Sequence, residues 1–401
     1  MTQQTAHSAT AAPATLPQWL QQQAHQRAGG VALRHKHLGV WQQRSWLQAA
    51  HEVQQVASAL QDRGFAKGAT LAVVSRPRPE ALLVALAAQW LGGVAVLLNP
   101  LDAAAEQIAL LRRLQPEAIF AEGLPELERL RVGQLTPALV LYADGRGVAG
   151  QQNQHPTAST WVDYAQLAAP RQGDAVSVLP IQARAERTAF AFYRYGTSGG
   201  IEEQRITHAE LLQEGQRLVQ TEQLGADEEA LAARAFAAGG QARYLLAPWL
   251  ITGFRLNFPE NLGTRDNDRR ELGPTLVAGT RETYGRLYEL VQSRLPLPGS
   301  AQRRLVDWAL TAQPGLTRRW LGEWLVRRPL RDVLGFSRTR APLLVGEPLP
   351  EPTRAFFAAL GIQVRAWPDP AQWLNRAALP VAPHAPAPAT TDWHHPGAQT
   401  A

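Results

Sequence analysis

An α/β fold, with parallel or mixed sheets covered by helices, is what this 401-residue sequence predicts. Three observations carry the prediction. Short apolar runs alternate with helical patterns between Thr70 and Ala121, the spacing of parallel βαβ units with right-handed crossovers. Two capping boxes mark helix starts, Ser45 with Gln48 and Thr207 with Glu210. The apolar fraction, 45%, is enough to fill a core.

Val31–Arg34 and Gly39–Arg44 make a hairpin around His35–Leu38. Ser45 opens a helix with Leu47, Ala50, Val53, Val56, Ala57 and Leu60 on one face, and Gly64 ends it. Thr70–Ser75 is a buried strand, Pro79–Leu91 a helix, Val94–Leu98 a strand, Asp102–Leu114 a helix and Glu117–Ala121 a strand. The longest apolar stretch, Ala81–Leu98, is broken by Gln89 and Gly92-Gly93. It predicts a buried helix turning into a buried strand, not a membrane span. Residues 143–187 have a looser pattern, and Gly145–Pro156 reads as a surface loop. Thr188–Tyr193 is a strand running into a Gly-rich loop, Arg194–Arg205. Thr207 then opens the helix Ala209–Gln220. Tyr244–Leu250 and Thr275–Ala278 read as strands. Residues 300–333 are helical, basic and Trp-bearing. Ala341–Val345 is a strand, Glu351–Leu360 a helix and Gln363–Ala366 a short strand. No internal repeat is present. The organisation expected is a flexible N-terminus at 1–17, one domain at 18–370, and an Ala/Pro-rich tail at 371–401 too poor in apolar groups to bury a core.

Composition excludes several functions. There is no Cys, hence no disulfide, thiolate metal site or Cys nucleophile. The N-terminus lacks the charged and apolar regions of a signal peptide. Lys and Arg number 40 against 34 Asp and Glu, a net charge of +6, with lysine only at Lys36 and Lys67. No dense basic stripe with interleaved aromatics appears, so nucleic acid is not an expected partner. No Ser-His-Asp arrangement or paired carboxylates stand out. His384, His394 and His395 lack the fixed spacing of a metal site.

A family resemblance appears on two blocks. Gly39–Trp46, the A-L-x-x-x-G of Ala59–Gly64, Leu71–Ser75, the R-P-E of Arg78–Glu80 and Ala87–Gly93 follow the order seen at the start of a long-chain acyl-CoA synthetase. The second block is sharper. The family's phosphate loop reads Y-T-S-G-T-T-G-x-P-K-G-V-x-L-T-H, and Tyr193–His208 reads Y-R-Y-G-T-S-G-G-I-E-E-Q-R-I-T-H without a gap. The chain thus resembles the AMP-forming acyl-CoA synthetases, the adenylate-forming enzymes, over residues 31–367. The resemblance implies the fold of their N-terminal domain, with the small C-terminal domain finding no counterpart. It implies an ancestral reaction in which a fatty acid and ATP give acyl-AMP and then acyl-CoA. ATP or AMP with Mg2+, and CoA, are the implied cofactors. Tyr193, Gly196, Thr197, Ser198, Gly199, Thr207 and His208 are the implied nucleotide-binding residues. Such a loop works through open backbone N–H groups, hydroxyls and a lysine.

The departures bear on activity. At the lysine position stands Glu202, followed by Glu203; Arg194 and Arg205 are the loop's compensating cations. The Y-G-x-T-E motif, whose Glu helps hold magnesium, is replaced by Arg365–Pro370, with Asp369 a poor substitute. No lysine follows Lys67. Catalysis is therefore expected to be impaired or absent. The alternatives are a non-catalytic acyl or acyl-CoA binding protein and a structural partner of an intact synthetase, in a homo- or hetero-oligomer. His208 reads as a remnant first-turn helix residue and Trp249 as packing. Ala301–Asp332, with Trp308, Trp320 and Trp324 among arginines, reads as a solvated amphipathic helix or a peripheral membrane contact. The expected location is cytoplasmic, or peripheral to a membrane.

Overall fold

The computed structural model describes residues 12–148, 159–169, 179–196, 200–237, 239–310, 320–369 and 373–376. Two sheets organise them. The seven-stranded sheet runs in the order β14 (Arg365–Trp367), β13 (Ala341–Val345), β12 (Leu276–Gly279), β10 (Glu229–Leu231), β11 (Arg255–Phe258), β1 (Val31–His37) and β2 (Val40–Ser45). The eight-stranded sheet runs β15 (Leu374–Arg376), β9 (Ile201–Thr207), β8 (Thr188–Tyr195), β4 (Val94–Leu98), β3 (Thr70–Val74), β5 (Ala118–Ala121), β6 (Leu139–Tyr142) and β7 (Thr160–Asp163). Pairing is parallel except for β1–β2, β8–β9 and β9–β15. The α/β expectation holds.

Alternation along the strands divides the core. Leu71 and Val73 face the main core, whereas Ala72 and Val74 face a second one. Helix α3 (Pro79–Trp90) touches β1 of one sheet and β3 and β4 of the other, and every residue of it is buried. A helix enclosed on all sides needs no polar face, which is why its sequence is a plain apolar run. Helices α4 (Ala104–Leu114) and α5 (Leu124–Val132) cover the outer face of the eight-stranded sheet through Leu110, Leu111, Leu127 and Leu130. Tyr284, Phe336, Phe356 and Phe357 pack a third core on the seven-stranded sheet.

Both capping boxes form. Ser45 accepts from the Gln48 N–H at 3.1 Å at the start of α2 (Trp46–Asp62). Thr207 does the same for Glu210 at 3.2 Å. A third opens α1 (Leu16–Gln26), where Thr15 caps Gln18 inside the stretch expected to be flexible. Leu16 and Leu20 are buried there.

Tyr244–Leu250, expected as a strand, is instead helical. Gly239–Gln241, Ala242–Leu246 and Ala247–Thr252 run on as one helix, with the middle segment π-wound. Tyr244–Leu250 is buried throughout, so it shows no helical period. Its π turn lies just before Pro248, and a second, Glu323–Arg327, lies just before Pro329. Proline lacks an N–H and its ring crowds the carbonyl four residues back, so a widened turn relieves both. Leu374–Arg376, within the segment expected to be disordered, pairs with the open edge of β9. The rest of the expected tail, 377–401, lies outside the described residues, as does most of Gly145–Pro156.

Candidate functional site

The segment Arg194–Arg205, expected as a loop, is mostly a hairpin. Strand β9 begins at Ile201 and runs antiparallel to β8, pairing Arg194 with Glu202 and Tyr193 with Glu203. The turn is closed by the Gly196 N–H donating to the Gly200 carbonyl at 2.8 Å. Thr197, Ser198 and Gly199 lie outside the described residues. The two glutamates are engaged with the hairpin itself. Arg194 Nε donates to Glu202 at 2.7 Å, and Arg205 Nε and the Tyr193 hydroxyl donate to the buried Glu203 at 2.7 and 2.6 Å. Burial, reinforced by Glu203, pushes the Tyr193 phenol well above its ordinary value. Glu202 also folds over Gly196, where a Cβ would meet its Oε1 at 2.6 Å. A side chain at 196 would have to push the Glu202 carboxylate aside.

Thr207 and His208 stand at the other end of β9, about 20 Å of strand away from the turn. Thr207 caps α7 (His208–Glu222). His208 is buried and its Nδ1 accepts from the Leu16 N–H at 3.3 Å, tying α1 to α7. Burial lowers its pKa to about 4, so it is neutral. The structure therefore brings Tyr193 and Gly196 together and holds Thr207 and His208 apart from them, in structural roles. Trp249 packs, as expected: it stacks on Trp46 at 4.7 Å and donates to the Ala32 carbonyl.

The sheets' strand ends hold what the sequence did not show. A cavity of about 570 Å³ opens where β3, β4, β10, β12, β13 and β14 all end at their C-termini, the usual ligand position in parallel α/β folds. Arg76 and Asn99 line it from one sheet; Arg234, Thr280 and Asp369 line it from the other. Helices α9 (Arg265–Leu272) and α10 (Arg281–Gln292) add Arg265, Arg269 and Arg286. Asp369 accepts from Arg243 at 2.7 Å. Arg76 is held by Glu122, its Nε donating at 2.9 Å. A neighbouring cavity of about 470 Å³ shares Arg76, Pro77 and Leu262 and is lined by His35, whose pKa burial lowers to about 4. None of Tyr193, Gly196 or Gly200 lines the larger cavity. That loop lies beside it, because β8 is the parallel neighbour of β4.

A family model described as AMP-binding enzyme matches residues 20–367. The chain belongs to that family. Among curated proteins none matches it by sequence. Among solved structures, the adenylation domain of a carboxylate reductase from Mycobacterium chelonae is similar, with a TM-score of 0.68 and 15% identity over 90% of this chain and 58% of that one. The adenylation domain of a carboxylic acid reductase from Segniliparus rugosus, in complex with AMP and a co-purified carboxylic acid, has a TM-score of 0.68 and 15% identity over 88% of this chain and 59% of that one. ATP-bound MatB from Rhodopseudomonas palustris has a TM-score of 0.61 at 17% identity, covering 89% and 60%. The chain thus spans about three fifths of these relatives' length.

The family implies a magnesium ion beside the nucleotide. The donors here do not fit one: Asp369 is neutralised by Arg243, and the described residues hold no cluster of three acidic, His or Cys groups. Among the described residues no helix is long and apolar enough to cross a membrane.

Proposed function

We propose that this chain is an acyl-CoA synthetase-like module that binds a carboxylate ligand in the strand-end cleft but does not adenylate it. One observation carries the reading. Glu202, at the position where the family resemblance implies a lysine, is paired to Arg194 and folded over Gly196. The hairpin thus presents a carboxylate where a phosphate needs a cation, while the neighbouring cleft keeps guanidinium groups on its walls. Guanidinium forks match carboxylates in geometry and charge. The test uses the full chain in a pyrophosphate-release assay with ATP, CoA and a panel of carboxylic acids. No acid-dependent release above the blank is expected, together with carboxylate binding by calorimetry. Acid-dependent release would refute the loss of adenylation. Absence of carboxylate binding would favour the structural-partner reading instead.

A second reading concerns Ala301–Asp332. Trp320 and Trp324 are 65% and 55% exposed, beside exposed Leu321 and Leu325. Arg328 lies over the Trp324 ring at 4.6 Å, and Arg304 has no acidic partner among the described residues. Exposed indoles with adjacent guanidinium groups suit the headgroup zone of an anionic membrane, so peripheral binding to such a surface is inferred.

A further inference from the structure

The cleft walls hold a cationic cluster that the protein leaves short of negative charge. Arg234 has Glu282, and Arg76 has Glu122. Arg269 and Arg286 share one carboxylate, Asp266. Arg265, on the same helix as Arg269, has no hydrogen bond or ion pair among the described residues. Glu289 also lines the cavity, yet the charges that act on Arg265 are Arg286, Asp266 and Arg234. Burial first, and then Arg286, hold the Arg265 pKa below its ordinary value; burial also lowers that of Arg269. Two helix starts face the same space. Thr264 before α9 and Thr280 before α10 make no side-chain cap; the positive potential of their first turns is met by Asp266 and Asp268 in α9 and by Glu282 in α10, the first and last of which are already shared with Arg269, Arg286 and Arg234. Grouping desolvated guanidiniums around one carboxylate is costly unless another anion joins them.

The opposite wall limits the ligand. The apolar slot formed by Val73, Ala81, Leu82, Leu97 and Phe236 is about 20 Å³, room for about one water-sized group. The described residues thus offer a long acyl tail no place in this slot.

We propose that Arg265, with Arg269 and Arg286, receives a second anionic group of the ligand, so that the cleft takes a small doubly anionic acid, such as a dicarboxylate, in preference to a long acyl chain. The inference rests on the cleft being a carboxylate site. A second charged group bound by guanidiniums strengthens binding by about tenfold or more.

The experiment is calorimetric titration of the full chain with adipate and with hexanoate, which differ only in the second carboxylate, alongside palmitate, ATP and CoA. Adipate is expected to bind at least about tenfold tighter than hexanoate at low salt, and the gap to narrow as salt rises. Arg265→Gln is expected to abolish the gap and Arg265→Lys to keep part of it, both with an unchanged melting curve, since Arg265 is only partly buried. Equal binding of adipate and hexanoate would overturn this inference and leave the carboxylate cleft standing. Binding of neither would overturn both. Loss of ATP or CoA binding in Arg265→Gln, with adipate unaffected, would assign the cluster to nucleotide phosphates and overturn the inference.

Discussion

Glu202→Lys should restore phosphate affinity at small structural cost. The pair it removes, Arg194–Glu202, is 2.7 Å long, with side chains 54% and 20% exposed. An exposed pair of this kind is worth about 0–1 kcal/mol, and a lysine opposite Arg194 adds a like-charge penalty of similar size. A loss of about 1–2 kcal/mol leaves a domain of ordinary stability folded. The gain at the loop is larger. Exchanging a negative for a positive unit charge about 4 Å from a phosphate shifts the interaction by about 2 kcal/mol even at a water-like dielectric, roughly thirtyfold in affinity. Glu203 must be left in place. It is buried and holds both the Tyr193 hydroxyl and Arg205, so Glu203→Gly leaves the part-buried Tyr193 hydroxyl without its acceptor, at about 1–3 kcal/mol, while the exposed Arg205 turns to solvent. Calorimetry with ATP and with adenosine, at two salt concentrations, reads the effect. ATP should tighten, adenosine should not, and the gain should shrink with salt. The double variant Glu202→Lys/Glu203→Gly should melt below the single one. Equal gains for adenosine and ATP, or no gain in a variant that melts normally, would refute the argument.

His208 is neutral and buried with a pKa near 4, so the unfolded chain takes up its proton first as pH falls. Its stabilising effect is present above about pH 6.5 and is lost as pH drops towards 4, by about 3 kcal/mol; thermal melts from pH 7 to 4.5 should show the decline, less steeply in His208→Gln. Trp249→Ala should cost about 3–5 kcal/mol in urea unfolding by emptying its place against Trp46, whereas Trp249→Phe should leave carboxylate binding unchanged. Sedimentation with vesicles containing phosphatidylserine should bring down the wild-type chain and not Trp320→Ser/Trp324→Ser, and neither should bind vesicles of phosphatidylcholine alone.

The helices and strands of the first half were legible because their signals are local. Ser45 and Thr207 sit three residues from their capping partners, and the runs at Thr70–Val74 and Val94–Leu98 are bounded by their own turn residues. The ungapped match at Tyr193–His208 identified the family, because a hairpin turn between fixed strands needs the same spacing wherever it occurs. The errors fell where local signals run out. Tyr244–Leu250 is apolar all round, and a run without a period does not distinguish a helix from a strand. Glycines at 196, 199 and 200 suggested a longer loop than the one that β9 permits once it pairs with β8. The roles of Glu202 and Glu203 depended on which residues lie across that pair, Arg194 and Tyr193.

The cleft lay beyond reach for a different reason. Arg76, Arg234, Arg265, Arg269 and Arg286 come from four separate segments and both sheets, and apart from Arg265 and Arg269, one turn apart on a helix, nothing in their spacing relates them. The sequence by itself determined the α/β alternation, the capped helices and the family, since each is written in residues that are neighbours along the chain. The tertiary structure alone decided that one half-buried carboxylate, Asp266, serves two guanidiniums while Arg265 has no ion-pair partner of its own among the described residues. Charge balance in a cleft is a property of distances in space, and those exist only once the strand ends of two sheets have been brought together.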